Sequence, residues 1–172
     1  TLPQVVAHAL LLQSILDYEG LSAGVWYVAI DFQLYLLLVG ILWLARRLAR
    51  DAARAAVLGS LLVAALALAS LYHFNRHPDW DSWGVYFFAS YALGALVYWV
   101  SNRPAAAGWL LLIVAAVIAA LLLDYRSRIA LALAVALALA LARRTGFIES
   151  WPAWHWIARL GKISYSVFLV HF

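Results

Sequence analysis

"WYVAIDFQLYLLLVGILWLARR", residues 26–47, is a nearly unbroken apolar run that closes on paired arginines and carries one acid, Asp31, and one amide, Gln33. About 20 consecutive apolar residues are what an α-helix needs to cross bilayer hydrocarbon. Arginines at the end of such a run sit at headgroup level, and a Trp at its start anchors the other interface. The stretch therefore reads as a membrane-spanning helix, and the rest of the chain repeats its pattern.

Hydrophobic residues make up 67% of the 172 and charged residues 12%, far from the roughly 45–50% and 25% of soluble domains. The mean hydropathy is +0.91. Spans are expected at about 3–16, 24–45, 55–74, 84–101, 106–123 and 129–142, with a seventh starting near Leu160. The expected class is all-α: a polytopic transmembrane bundle of about seven spans, the first and last clipped, with residues 1–172 forming part of a single domain. The sequence reads as an internal piece of a longer polytopic protein. The absence of Cys excludes disulfides and thiolate metal sites from this segment, and the histidine spacing gives no metal-site pattern.

Orientation follows from the basic residues, because cytoplasmic loops carry the excess. With the loop 46–54 inside, that side holds Arg46, Arg47, Arg50, Arg54, Arg103, Arg143, Arg144, Arg159 and Lys162, against Arg76, Arg126 and Arg128 outside. The net charge of +4 reflects this topology and gives no case for nucleic-acid binding.

Asp31 is the acid that lies well within an apolar run. At about 1.5 Å of rise per residue it sits roughly 8–10 Å inside the outer interface. A carboxylate at such depth costs on the order of 2.5–3.5 kcal/mol and usually faces a bundle interior or a wet cavity. It lines a functional site there, or it makes a structural hydrogen bond between helices. Tyr27, Asp31 and Tyr35 fall at i, i+4 and i+8 and share a helix face, whereas Trp26 and Gln33 share another. The first face is expected to line a cavity while Gln33 bonds a neighbouring helix. Gln13, near the outer end of the first span, is expected at a depth similar to Asp31, and His8 and His171 close to mid-membrane. Imidazoles and a carboxylate together suit proton handling.

These residues resemble a known family. "WYVAIDFQLYLLL" (26–38) is similar to the Trp-x4-Glu-x-Gln-x-Tyr block of acyltransferase family 3, integral-membrane acyltransferases that include bacterial O-acetylases of surface polysaccharides. "LGKISYSVFLVHF" (160–172) is similar to the Leu-Gly-x-Ile-Ser-Tyr-Ser-x-Tyr-Leu-x-His block near the end of that domain, and "FFASYALGALVYW" (87–99) to a Phe- and Gly-bearing span between them. Trp26, Asp31, Gln33, Tyr35, Ser164, Tyr165 and His171 fall on family motif positions. Asp31 stands where Glu is usual, Phe32 where a second acid is frequent, and Phe168 where Tyr is common.

The resemblance implies transfer of an acyl group, often acetyl, from acyl-CoA to a hydroxyl of a carbohydrate or other cell-surface acceptor. It implies a multi-pass bacterial inner or plasma membrane protein whose partners are the lipid bilayer, donor and acceptor, with no bound cofactor. The expected catalytic residues are Asp31, His171 and His8, and the expected substrate contacts are Trp26, Tyr27, Gln33, Tyr35, Ser164 and Tyr165. A polyanionic donor head would suit Arg46, Arg47, Arg143 and Arg144, although the positive-inside rule alone also accounts for them. The family's catalytic His belongs to spans absent from these residues, so the 172-residue piece alone is expected to be inactive. The alternatives are a small-solute transporter or exporter with an intramembrane Asp/His site, and a structural or sensory membrane subunit.

Overall fold

The computed structural model describes residues 2–19, 23–101, 105–147, 159–161 and 163–164. Among them every regular element is helical: α1 (Leu2–Ala9), α2 (Ala23–Leu48), α3 (Ala52–Tyr72), α4 (Gly84–Ser101), α5 (Ala106–Leu123) and α6 (Ser127–Arg144). Two short 3₁₀ turns, Phe74–Arg76 and Pro78–Trp80, join α3 to α4. The all-α transmembrane class expected from the sequence holds.

Among the described residues four helices are long and apolar enough to cross a membrane, over Gly24–Leu48, Ala52–Arg76, Gly84–Ser101 and Ala106–Leu123, where the sequence suggested about seven spans in all. α6 has 18 residues but carries Arg128, Arg143 and Arg144. The expected first span over 3–16 is corrected: α1 stops at Ala9, and Leu11 and Asp17 adopt positive φ angles of 57° and 59°. No Gly or Pro marks this break. The chain instead continues through turns, and the Gln13 side chain is fully buried with Nε2 donating to Val25 O of α2 at 3.4 Å. The expected seventh span lies largely outside the described residues.

Local chemistry sets the bounds of the long helices. Asp51 caps α3, its Oδ1 accepting the Arg54 N–H at 2.8 Å, which satisfies one of the amides a helix start leaves open. Consecutive helices joined by short connections run antiparallel, so α2, α4 and α6 end at one face of the bundle and α3 and α5 at the other. The arginines at the ends of α2 and α6 make the first face the basic end.

α4 is the central helix, packing against α2, α3, α5 and α6. Its Phe88 and Ala92 meet Ile30, Leu34, Val63 and Ala67 of α2 and α3. Its Ala89, Leu93 and Val97 meet Val117, Ile129 and Leu133 of α5 and α6. Hydrocarbon solvates apolar side chains as well as a protein interior does, so close packing through small residues and interhelical hydrogen bonds must hold such helices together. The alanines at these contacts and Gly59, whose Cα faces Leu42 and Ala45, permit that approach.

Gly84 lets the start of α4 approach the α2 backbone closely. A Cβ there would meet Gln33 Cβ at 2.9 Å and the Leu34 backbone nitrogen at 3.3 Å, neither of which can swing aside. Gly84→Ala is expected to destabilise the detergent-solubilised full-length protein by about 1–3 kcal/mol, the usual cost of overpacking. Gly94, on the same helix, is the control, because a Cβ added there would meet nothing within 4 Å. Gly94→Ala should leave thermal unfolding unchanged or raise its midpoint slightly.

Candidate functional site

The 100° advance per residue along α2 sends its polar side chains in two directions. Gln33 turns inward, and its Oε1 accepts the Gly84 N–H at 2.7 Å. That N–H opens α4 and has no partner within its own helix, so Gln33 acts as a cap supplied from another helix. Gln33 Nε2 is buried without a hydrogen-bond partner among the described residues.

Asp31 lies on the uncovered face with Tyr27 and Tyr35, which are 56% and 57% exposed. Among the described residues no hydrogen bond or ion pair reaches the Asp31 carboxylate. Asp31 and Tyr35 are electrostatic neighbours of Tyr91, a half-buried residue of α4. Tyr91 therefore joins the polar surroundings of Asp31 at the α2–α4 seam. Sequence reasoning did not single it out, although it lies in the 87–99 stretch.

Trp26 sits one to two turns before Asp31 and meets Phe87 of α4 edge-on, with ring centroids 5.9 Å apart. Phe87 continues to Tyr86, and the Arg128 guanidinium of α6 lies 4.4 Å above the Tyr86 ring and donates to its hydroxyl. An aromatic and basic band thus runs from α2 across α4 to α6 at the end opposite the basic face. Such contacts suit a membrane interface, where rings are half apolar and half wet.

The arginines expected to meet a polyanion are divided between two helix ends. Arg46 and Arg47 close α2, with Arg47 5.2 Å from the Trp43 ring centroid. Arg143 and Arg144 close α6, with Arg143 4.2 Å above the Tyr98 ring of α4. α4 packs against both helices, so the two pairs share the basic end of the bundle. Cations at helix C-termini are also favoured by the helix dipole.

His8 lies on α1 with Nδ1 2.8 Å from Gln4 O. Because α1 ends at Ala9, the mid-membrane depth obtained by counting along a straight span does not apply to it. Ser164 is described, its Oγ donating to Gly161 O at 2.9 Å. Tyr165 and His171, the other expected site residues of the 160–172 block, lie outside the described residues. Among the described residues no three His, Asp or Glu side chains converge as a metal site would require.

One polar cluster was not visible in the sequence. At the end opposite the basic face, buried Asn75 donates from Nδ2 to Tyr86 O at 2.6 Å and accepts from Arg126 Nη1. Arg126 Nη2 donates to Leu71 O at 3.0 Å, and its Nε lies 3.5 Å from the Asp124 carboxylate. Ser70 Oγ receives the Ala89 N–H at 3.0 Å. Burial draws the Arg126 guanidinium below the ordinary arginine value, opposed by the Asp124 carboxylate. These residues tie α3, α4 and the start of α6 together and lie on structural carbonyls, which assigns them to scaffolding.

The two faces of α2 separate in a stability measurement. Gln33→Leu removes the acceptor of a buried N–H and should lower unfolding stability by about 1–3 kcal/mol. Asp31→Asn on the uncovered face should change it by less than about 0.5 kcal/mol, both read by thermal unfolding in detergent.

The sequence matches the acyltransferase domain of family 3 over residues 3–172. No curated protein and no solved structure matches it.

Proposed function

From a chain that belongs to the family 3 acyltransferases and is a multi-pass membrane protein, we propose that the enzyme moves an acetyl group from acetyl-CoA to a hydroxyl of a cell-surface carbohydrate. The observation that carries the reaction class is the family match across nearly the whole chain. The donor, the acetyl group, the carbohydrate acceptor and a bacterial cell membrane with loop 46–54 cytoplasmic are our reading of how that class is realised here.

The chemistry makes two demands on the protein. A hydroxyl attacks a thioester only as a base takes its proton, and the carbonyl oxygen needs donors as it gains charge. Asp31 stands on an uncovered face, beside Tyr35 and within electrostatic reach of Tyr91, and we place it within the hydrocarbon from its position along α2. A carboxylate so placed needs a hydrogen-bond donor, and we assign that donor as the acceptor hydroxyl or an imidazole that Asp31 orients. His8 and His171 are the candidates for that imidazole among these residues.

Trp26, Tyr27, Tyr35, Ser164 and Tyr165 are proposed to contact substrate, with Trp26 and Tyr27 toward the acceptor side. Gln33 is proposed to act on substrate only through the position of α4, because its Oε1 is taken by Gly84. Arg46, Arg47, Arg143 and Arg144 at the basic end are proposed to hold the donor's phosphates, the geometry a cytoplasmic CoA head requires.

The test uses the full-length protein in membranes with radiolabelled acetyl-CoA, following label into glycans. Wild type should transfer label. Asp31→Asn should reduce transfer by about 10²–10⁴-fold, the range of a lost proton-handling group, while the protein stays folded in the membrane. Full transfer in Asp31→Asn would remove Asp31 from the mechanism. Label appearing on lipid or protein instead of glycan would overturn the carbohydrate acceptor.

A further inference from the structure

A second feature of the bundle lies away from the Asp31 face. Between α3, α4 and α5 lies a cavity of about 320 Å³, whose walls include Val57, Ala64 and Leu68 of α3, Leu96 of α4, and Leu112 and Ala116 of α5. Ser60 contributes a hydroxyl to the wall, but it is already spent on Ala56 O at 2.8 Å. The lining reaches from Val57 to Leu71 along α3, roughly 21 Å of helix at 1.5 Å per residue, against about 30 Å of bilayer hydrocarbon.

The cavity is a wedge with one closed end. Toward the end opposite the basic face, Tyr72 OH donates to Ala116 O at 2.7 Å and pins α3 to α5. Toward the basic end it adjoins a shallow depression formed by Ala53, Arg54, Val57, Leu58 and Leu61, with Val57 and Leu61 common to both. Arg54 thus borders the depression that adjoins the wedge at its basic end. Arg54 has 68% of its side-chain surface exposed and pairs with Asp51 at 3.3 Å, within the same helical turn. So exposed a pair holds its arginine weakly and yields it readily to a stronger anion.

These features select the occupant. A water-soluble partner does not enter hydrocarbon, and a transmembrane helix about 10 Å across does not fit between two helices that a side-chain hydrogen bond joins at one end. A single hydrocarbon chain does fit a narrow apolar wedge, and a negative group at its mouth would meet Arg54. We propose that the wedge holds one acyl chain of an anionic phospholipid from the leaflet at the basic end, with the lipid phosphate at Arg54. The assignment is independent of the acyl-transfer reaction and uses none of the residues placed in it.

Native mass spectrometry of the full-length protein released from nanodiscs tests the assignment, with phosphatidylglycerol and phosphatidylcholine as probes. One phosphatidylglycerol per chain should be retained in preference to phosphatidylcholine. Arg54→Gln, a surface change that does not threaten folding, should weaken retention about fivefold, the effect of one basic group at an anionic surface. Ala64→Phe should block the wedge and abolish retention, while Leu111→Phe, on an exposed part of α5 outside the lining, should leave it intact. Equal retention of the two lipids, or retention indifferent to both Arg54→Gln and Ala64→Phe, would overturn the proposal. So would displacement of the lipid by stoichiometric palmitoyl-CoA, which would give the wedge to a long-chain acyl donor.

Discussion

The carbonyl of Tyr86 is where the architecture is tied. It lies in the first turn of α4 and accepts Asn75 Nδ2 from the connection that follows α3, while Asn75 in turn accepts from Arg126 at the start of α6. Arg126 also reaches the Leu71 carbonyl that ends α3. In hydrocarbon the association of apolar helices gains little from burial, and unpaired backbone groups are costly. A few polar side chains at a helix junction therefore decide which helices become neighbours. With α3, α4 and α6 joined at one end, α4 becomes the central element, and the small residues along it complete the packing.

Gln33 extends the same logic to α2. Its side chain caps α4 from outside, at the point where Gly84 lets the two backbones approach. The amide is thereby committed to structure, which leaves the opposite face of α2 available for chemistry. Asp31, Tyr27 and Tyr35 occupy that face. One helix thus serves as both scaffold and candidate active-site wall, divided by the angle between neighbouring residues.

The two ends of the bundle differ in kind. Arg143 stacks on Tyr98 at the basic end, and Arg128 stacks on Tyr86 at the other. The second is part of an aromatic band with Trp26 and Phe87, while the first stands among arginines that end two helices. The proposed transfer from a polyanionic donor to a hydroxyl acceptor would draw on these unlike ends, with the basic end for the donor. The wedge between α3 and α5, closed by Tyr72, is separate from that line and is suited to lipid.

The sequence by itself determined the membrane class, the family and four of the spans. Runs such as 84–101 and 106–123 are apolar throughout and flanked by polar residues, and hydrocarbon thickness leaves a helix little choice of length. The two faces of α2 were also legible, because they follow from the turn of a single helix. Only the tertiary structure decided that the apolar stretch after Ala9 leaves the helix for turns. Its break carries no Gly or Pro, and Gln13 gains its contact from Val25 of another helix. The same holds for the pairing of Asn75 with Arg126, 51 residues apart in the chain, and for the nearness of Tyr91 to Asp31. Periodicity describes one helix against its surroundings, whereas which helix supplies the partner is set by packing among several.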